Sequence, residues 1–172
     1  MIATVLTHRR ATDTAGAMGS LIAAARRAGA TLRFDSEETE KHGLRAAPGI
    51  EVDAPLSKDV DLCVVMGGDG TILTGLRSYA GTGVPVFAVN FGEVGFLATL
   101  DPDGLDAEFD RALAGEFETL ELPGITVGRP ACELPAGEDI HVEFALSSAT
   151  LAQLPGASFY HRLRERFGRL AK

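Results

Sequence analysis

Asp69 stands among glycines, in Gly67-Gly68-Asp69-Gly70-Thr71, directly after the apolar run at Val64, Val65 and Met66. Glycines let backbone N–H groups approach a ligand without an intervening Cβ and allow turns at positive φ. Consecutive N–H groups at a helix start form a concavity suited to anions. A tight turn, however, does not require an acid, and a carboxylate facing phosphate is repelled unless it points at a hydroxyl or a metal ion. Asp69 aimed at an acceptor hydroxyl, with Gly67, Gly68 and Gly70 shaping a loop for phosphate oxygens, supplies what phosphoryl transfer to an alcohol needs. Those needs are positioning, charge neutralisation and a carboxylate that accepts the hydroxyl proton. The alternative is that Asp69 caps a helix starting at Gly70 or Thr71, which Asp does well. Two common phosphate motifs do not fit: the P-loop lysine is missing, and so is the Gly-x-Gly-x-x-Gly of dinucleotide folds.

A second group follows at "NFGEVGFL", where Asn90, Gly92 and Gly95 again place glycines beside a polar residue, and Phe96 and Leu97 offer apolar walls. Arg9 and Arg10, after the first apolar segment, could reach a phosphate in the same crevice or lie in a solvated loop. Asp101 and Asp103 suit helix capping better than Mg2+ binding. His8, His42, His141 and His161 have no mutual spacing that suggests a metal site.

These residues need elements to hold them. "MIATVLTH" predicts a strand and "TDTAGAMGSLIAAARRAGA" a helix. "TLRF" predicts a second strand, "SEETEKHGL" a short polar helix or loop, and the segment to Leu56 an exposed excursion. "DVDLCVVM" is a continuous apolar run of the kind covered on both faces of a parallel sheet, and "TILTGLRSYAG" has helical spacing, ended by Gly81. "VPVFAVN" predicts another buried strand, and "PDGLDAEFDRALAG" a helix capped by Asp103 and stopped by Gly115. Both glycine groups therefore fall at the carboxyl ends of strands in an α/β fold, an open, mostly parallel sheet with helices on both faces. After Glu116, "FETLELPGITV" and "DIHVEFALSSATLAQL" read as extended segments, Pro123 and Gly124 mark a junction, and a helix follows from Ser158.

Composition narrows the setting. The chain has 172 residues, 45% of them hydrophobic, enough for one α/β domain with an appendage. A formal charge of −8 argues against nucleic acid or an anionic membrane as partner. Cys63 and Cys132 lack partner spacing, and Cys63 sits in an apolar run, as a core residue in a reducing cytoplasm would. Absence of a membrane-length stretch or leader points to a soluble, cytoplasmic protein.

With both glycine loops in place, residues 1–122 resemble the NAD kinase family. The resemblance implies phosphorylation of the 2′-hydroxyl of the adenosine ribose of NAD to give NADP, with ATP or polyphosphate as donor and Mg2+ as the accompanying cation. Asp69 is similar to the family's general base; because a carboxylate is a weak base towards an alcohol, it would orient the hydroxyl and take the proton late. Gly70 and Leu73 match positions that contact NAD, and Phe96 matches an aromatic at the edge of the nucleotide site. Gly67, Gly68, Thr71, Asn90 and Gly92 complete the nucleotide-facing set. The first motif is shared with diacylglycerol and sphingosine kinases, and in a close form with phosphofructokinases, so a lipid or sugar kinase relative is a further alternative.

Family members also carry an Asn-Glu or Asn-Asp pair and a Gly-Ser-Thr-Ala-Tyr-like loop on a second, β-rich domain, and neither occurs in this sequence. "GRPACELPAGEDIHVEFA" nevertheless resembles that domain's last strands, and "SFYHRLRERFG" the family's terminal helical segment. The expectation is an α/β domain at 1–122, residual strands of a truncated β-rich domain at 123–150, and a segment and helix at 151–172 packing back on the first domain, with the gap near Val127 and Gly128. A catalytically silent α/β domain that folds alone and binds nucleotide weakly would fit the same sequence. Loss of half a cleft weakens binding and leaves a homo-oligomer open.

Overall fold

The computed structural model describes residues 1–92, 97, 98, 100, 102, 104–127 and 144–153. Strand β1 (Ile2–Thr7) leads into helix α1 (Ala11–Ala28), then β2 (Thr31–Arg33), α2 (Ser36–His42) and β3 (Ile50–Glu51). Strand β4 (Leu62–Gly67) is followed by α3 (Asp69–Ser78), β5 (Val86–Asn90), α4 (Leu105–Leu113), β6 (Glu118–Val127) and β7 (Phe144–Gln153). The sheet order is β3-β2-β1-β4-β5-β7-β6, parallel from β3 to β7 and antiparallel only between β7 and β6.

Alternation along the central strands assigns the two faces. Val64, Met66, Phe87 and Val89 pack with Leu21 of α1 and Phe109 of α4 on one side. Cys63, Val65, Val86 and Ala88 pack with Ile72, Leu76 and Tyr79 of the α3 region on the other. Every residue of β4 is buried, which is why its sequence is uniformly apolar rather than alternating. Burial also pushes the Cys63 thiol up to about 12, consistent with a core residue rather than a reactive one. The expected α/β architecture with helices on both faces is the observed one.

Several details differ from expectation. Strand β3 lies inside the segment expected to be an exposed excursion, with Ile50 buried beside Leu32. "SEETEKH" takes the first of the two forms expected for it, a helix, capped by Asp35, whose side chain accepts from Glu38 N at 2.8 Å. The N-cap of α4 is Gly104 at φ 74°, without a side-chain cap bond; Asp103 lies outside the described residues. Pro123 and Gly124 fall within β6, which pairs along its length with β7. The helix expected from Ser158 lies outside the described residues.

Candidate functional site

The sheet order reverses direction between β1 and β4, because the chain runs outward from β1 to β2 and β3 and then returns to the far side of β1. Diverging connections at such a point leave a crevice at the strands' carboxyl ends. A cleft of about 560 Å³ occupies it, lined by Thr7 at the end of β1 and His8 and Arg9 just beyond, Asp35, Glu37 and Glu38 at α2, and Gly68, Gly70, Thr71 and Thr74 at α3. Arg9, raised by the sequence as one of two arginines near this crevice, lines it; Arg10 is instead the N-cap residue of α1.

The glycine-acid loop is held by its own small residues. A Cβ on Gly67 would lie 2.7 Å from Thr71 Cβ and 2.7 Å from Thr71 Oγ1, so only glycine lets α3 start so close to the end of β4. The N-cap of α3 is Gly68, and Asp69 is the first helical residue, so it sits one position past the cap rather than serving as it. An acid there is favoured by the partial positive charge of the helix start.

The two glycine groups meet. Gly67 pairs in register with Asn90 on β5, and Phe91 N donates to Gly67 O at 3.2 Å. A Cβ on Gly68 would lie 3.7 Å from Gly92 Cα. Asn90 Oδ1 accepts from Gly92 N at 2.9 Å, which folds the second loop back on itself. Asp69 Oδ1 accepts from Leu97 N at 3.2 Å, so the half-buried carboxylate spans the gap from the first loop to the second. Leu73 is one turn beyond Asp69 on α3 and 40% exposed. None of Gly67, Asp69, Leu73, Asn90 and Gly92 lines the cleft; Asn90 and Gly92 lie on the β5 side of α3's start, and Phe96 and Gly95 are outside the described residues.

This arrangement has a counterpart among known proteins. The profile of the ATP-NAD kinase N-terminal domain matches residues 8–117, about two thirds of the chain and both glycine loops. The chain belongs to the NAD kinase family. It is 31% identical to NAD kinase 2 of Streptomyces avermitilis over 126 residues, covering 65% of this chain and 40% of that protein. With the NAD kinase of Symbiobacterium thermophilum it shares 32% over 114 residues, 63% of this chain and 37% of that one. The NAD kinase of Solibacter usitatus is 40% identical over 93 residues, 53% of this chain and 31% of the relative. The chain thus spans two fifths or less of these curated relatives.

One feature of this NAD kinase-family chain was not legible in its sequence. Glu38 is 4% exposed although it sits in a polar helix. Its Oε1 accepts from Thr7 N at 2.8 Å and from Lys41 Nζ at 2.7 Å, and its Oε2 accepts from Thr7 Oγ1 at 2.6 Å. Lys41 Nζ also donates to Thr7 O at 3.3 Å. The Thr7 hydroxyl has one proton and gives it to Glu38, so the His42 ring, 2.8 Å from the same oxygen, must present Nε2–H to it. Burial holds the His42 imidazole below its usual 6.5, against the pull of Glu38, while Lys41 acts in the same direction as burial. The group is compensated, one carboxylate against one ammonium with a neutral imidazole, as burial demands.

No group of three or more His, Cys, Asp or Glu side chains that could hold a metal ion converges among the described residues. No helix among the described residues is long and apolar enough to cross a membrane.

Proposed function

We propose that the chain carries the hydroxyl-activating loop of an NAD kinase-type phosphotransferase, with the adenosine ribose 2′-hydroxyl of NAD as acceptor and ATP, or polyphosphate, as donor. The observation that carries this reading is the carboxylate of Asp69, held at a helix start between two glycine loops and tied to Leu97 N across them. Membership of the family supports it.

In this reading Asp69 orients the ribose hydroxyl and accepts its proton late, as the bond from the donor's terminal phosphorus to its leaving oxygen breaks and the new phosphorus–oxygen bond forms. Gly68 and Gly70 let backbone N–H groups approach phosphate oxygens without an intervening side chain, Gly67 lets α3 start close against β4, and Thr71 lines the same cleft. Leu73, Asn90 and Gly92 form the nucleotide-facing side in this reading, and Phe96 is assigned to it by its match to the family's motif alone. Mg2+ supplies charge neutralisation and arrives on the donor's phosphates, as this hard, strongly hydrated ion commonly does. A free, buried Cys63 suits the cytoplasmic setting.

A labelling experiment tests the acceptor. With γ-labelled ATP and Mg2+, label should appear in NADP when NAD is offered and not in a diacylglycerol or sugar alcohol; label in either of those instead would favour a lipid or sugar kinase relative. The second reading, a silent domain that binds nucleotide weakly, is favoured by the limited span of the relatives covered and by absence of the second-domain motifs. We infer for either reading that the strands from residue 123 and the segment from residue 151 are what this chain retains of the family's second half. Calorimetric titration with NAD and ATP discriminates: saturable binding argues against silence, and a stable fold with no binding argues for it.

A further inference from the structure

The carboxyl end of β1 is held by a side chain in place of a neighbouring strand. Pairing between β1 and β2 ends at Thr4 and Arg33, yet β1 continues to Thr7, still bonded on its other side, where His8 N donates to Met66 O at 2.8 Å. Alternate residues of a strand point their N–H groups to opposite neighbours, so the Thr7 N–H faces the space that β2 has vacated. Glu38 reaches back from α2 and takes it. Glu38 and Lys41 together then satisfy the amide, hydroxyl and carbonyl of Thr7. The residues that follow directly are His8 and Arg9, which line the cleft together with Asp35, Glu37 and Glu38 at α2 and with Gly68, Gly70 and Thr71 at the start of α3.

We propose that Glu38 is a positioning residue for phosphate binding: by standing in for the missing strand it sets the β1–α1 turn so that His8 and Arg9 face the glycine loop across a phosphate chain. This rests on the reading proposed above that the glycine loop, whose Gly68 and Gly70 line this cleft, faces phosphate oxygens. Lys41 cancels the charge of Glu38, so the carboxylate can serve beside an anion without repelling it. His42 closes the group from the same helix. Asp35, whose side chain caps α2, fixes the helix end from which Glu38 reaches.

The test uses inorganic tripolyphosphate as probe, titrated calorimetrically into the whole chain. Glu38→Met paired with Lys41→Met removes both charges together, so no lone charge is left buried, and with them the acceptor of the Thr7 N–H; Thr7→Val removes the shared hydroxyl at nearly constant shape. Tyr79→Phe is the structural control, since Tyr79 donates a buried 2.8 Å bond to Thr4 on the opposite side of the sheet from α2. Each variant is measured well below its own Tm. The expected result is about a tenfold rise in Kd for the Glu38/Lys41 pair and for Thr7→Val, with Kd unchanged in Tyr79→Phe even where its Tm falls. Unchanged Kd in the folded Glu38/Lys41 and Thr7 variants overturns the positioning role while leaving the cleft as a phosphate site. No tripolyphosphate binding by the unmodified chain overturns both.

Discussion

At the scale of single residues, glycine and acid have separable tasks. Gly67 is required by contact rather than by φ, because a Cβ there meets Thr71 at 2.7 Å. Gly67→Ala should destabilise the chain by about 1–3 kcal/mol, the usual cost of overpacking. A double-mutant cycle with Thr71→Gly, read by urea denaturation, should return a coupling of about 1 kcal/mol or more, and simple additivity would show that the close approach is not the cause. The sequence made Gly67, Gly68 and Asp69 conspicuous because three glycines at a strand end have few other uses. It did not reveal that Asp69 bonds to Leu97, since a contact across 28 positions has no local signature.

Elements show where pattern reasoning succeeds and where it stops. The strands β1, β4 and β5 and the helices α1 and α3 were legible because burial on both faces or on one stripe writes itself as period and apolarity. Helix α2 was half legible: its polar sequence promised exposure, and only the structure shows Glu38 and His42 turned inward against Thr7. Periodicity scores Glu as a surface residue, whereas a carboxylate with several donors is stable inside. The N-cap at Gly104 was missed because the caps that sequence reading favours are side chains, and this one is a backbone at φ 74°. Two predictions belong here. Gly75 lies on α3 with a Cβ position 2.8 Å from Val65 Cγ2, on a buried strand. Gly75→Ala should therefore destabilise by about 1–3 kcal/mol, although the same change on an open helix face would stabilise by about 1 kcal/mol; the midpoint of chemical denaturation gives the sign.

The second concerns His42, whose folded-state imidazole is held below 6.5 chiefly by burial. As pH falls the unfolded chain takes up the proton first, so this contribution to stability is full above 6.5 and is lost as pH drops from there through the lower folded value. His42→Gln should flatten that part of the stability–pH curve; an unchanged slope would mean another group is responsible.

Over the whole molecule, one reversal of strand order opens the cleft between β1 and β4, and the start of α3 divides it from the second loop after β5. The α/β body carries Asp69, the glycine loop and Arg9, while the chain covers 40% and 37% of the Streptomyces avermitilis and Symbiobacterium thermophilum relatives. On the proposed reading that this chain retains only part of the family's second half, fewer groups desolvate and orient the substrate, so the Michaelis constant for NAD should be high and the dependence on Asp69 undiminished. The most direct measurement is NADP formation from NAD, ATP and Mg2+ at saturating concentrations, with the unmodified chain and Asp69→Asn side by side. NADP should accumulate with the unmodified chain and fall by a hundredfold or more with Asp69→Asn, on the order of the loss expected for a general base. Equal rates from the two, or no NADP from the unmodified chain, would contradict the assignment of Asp69 as the residue that activates the ribose hydroxyl.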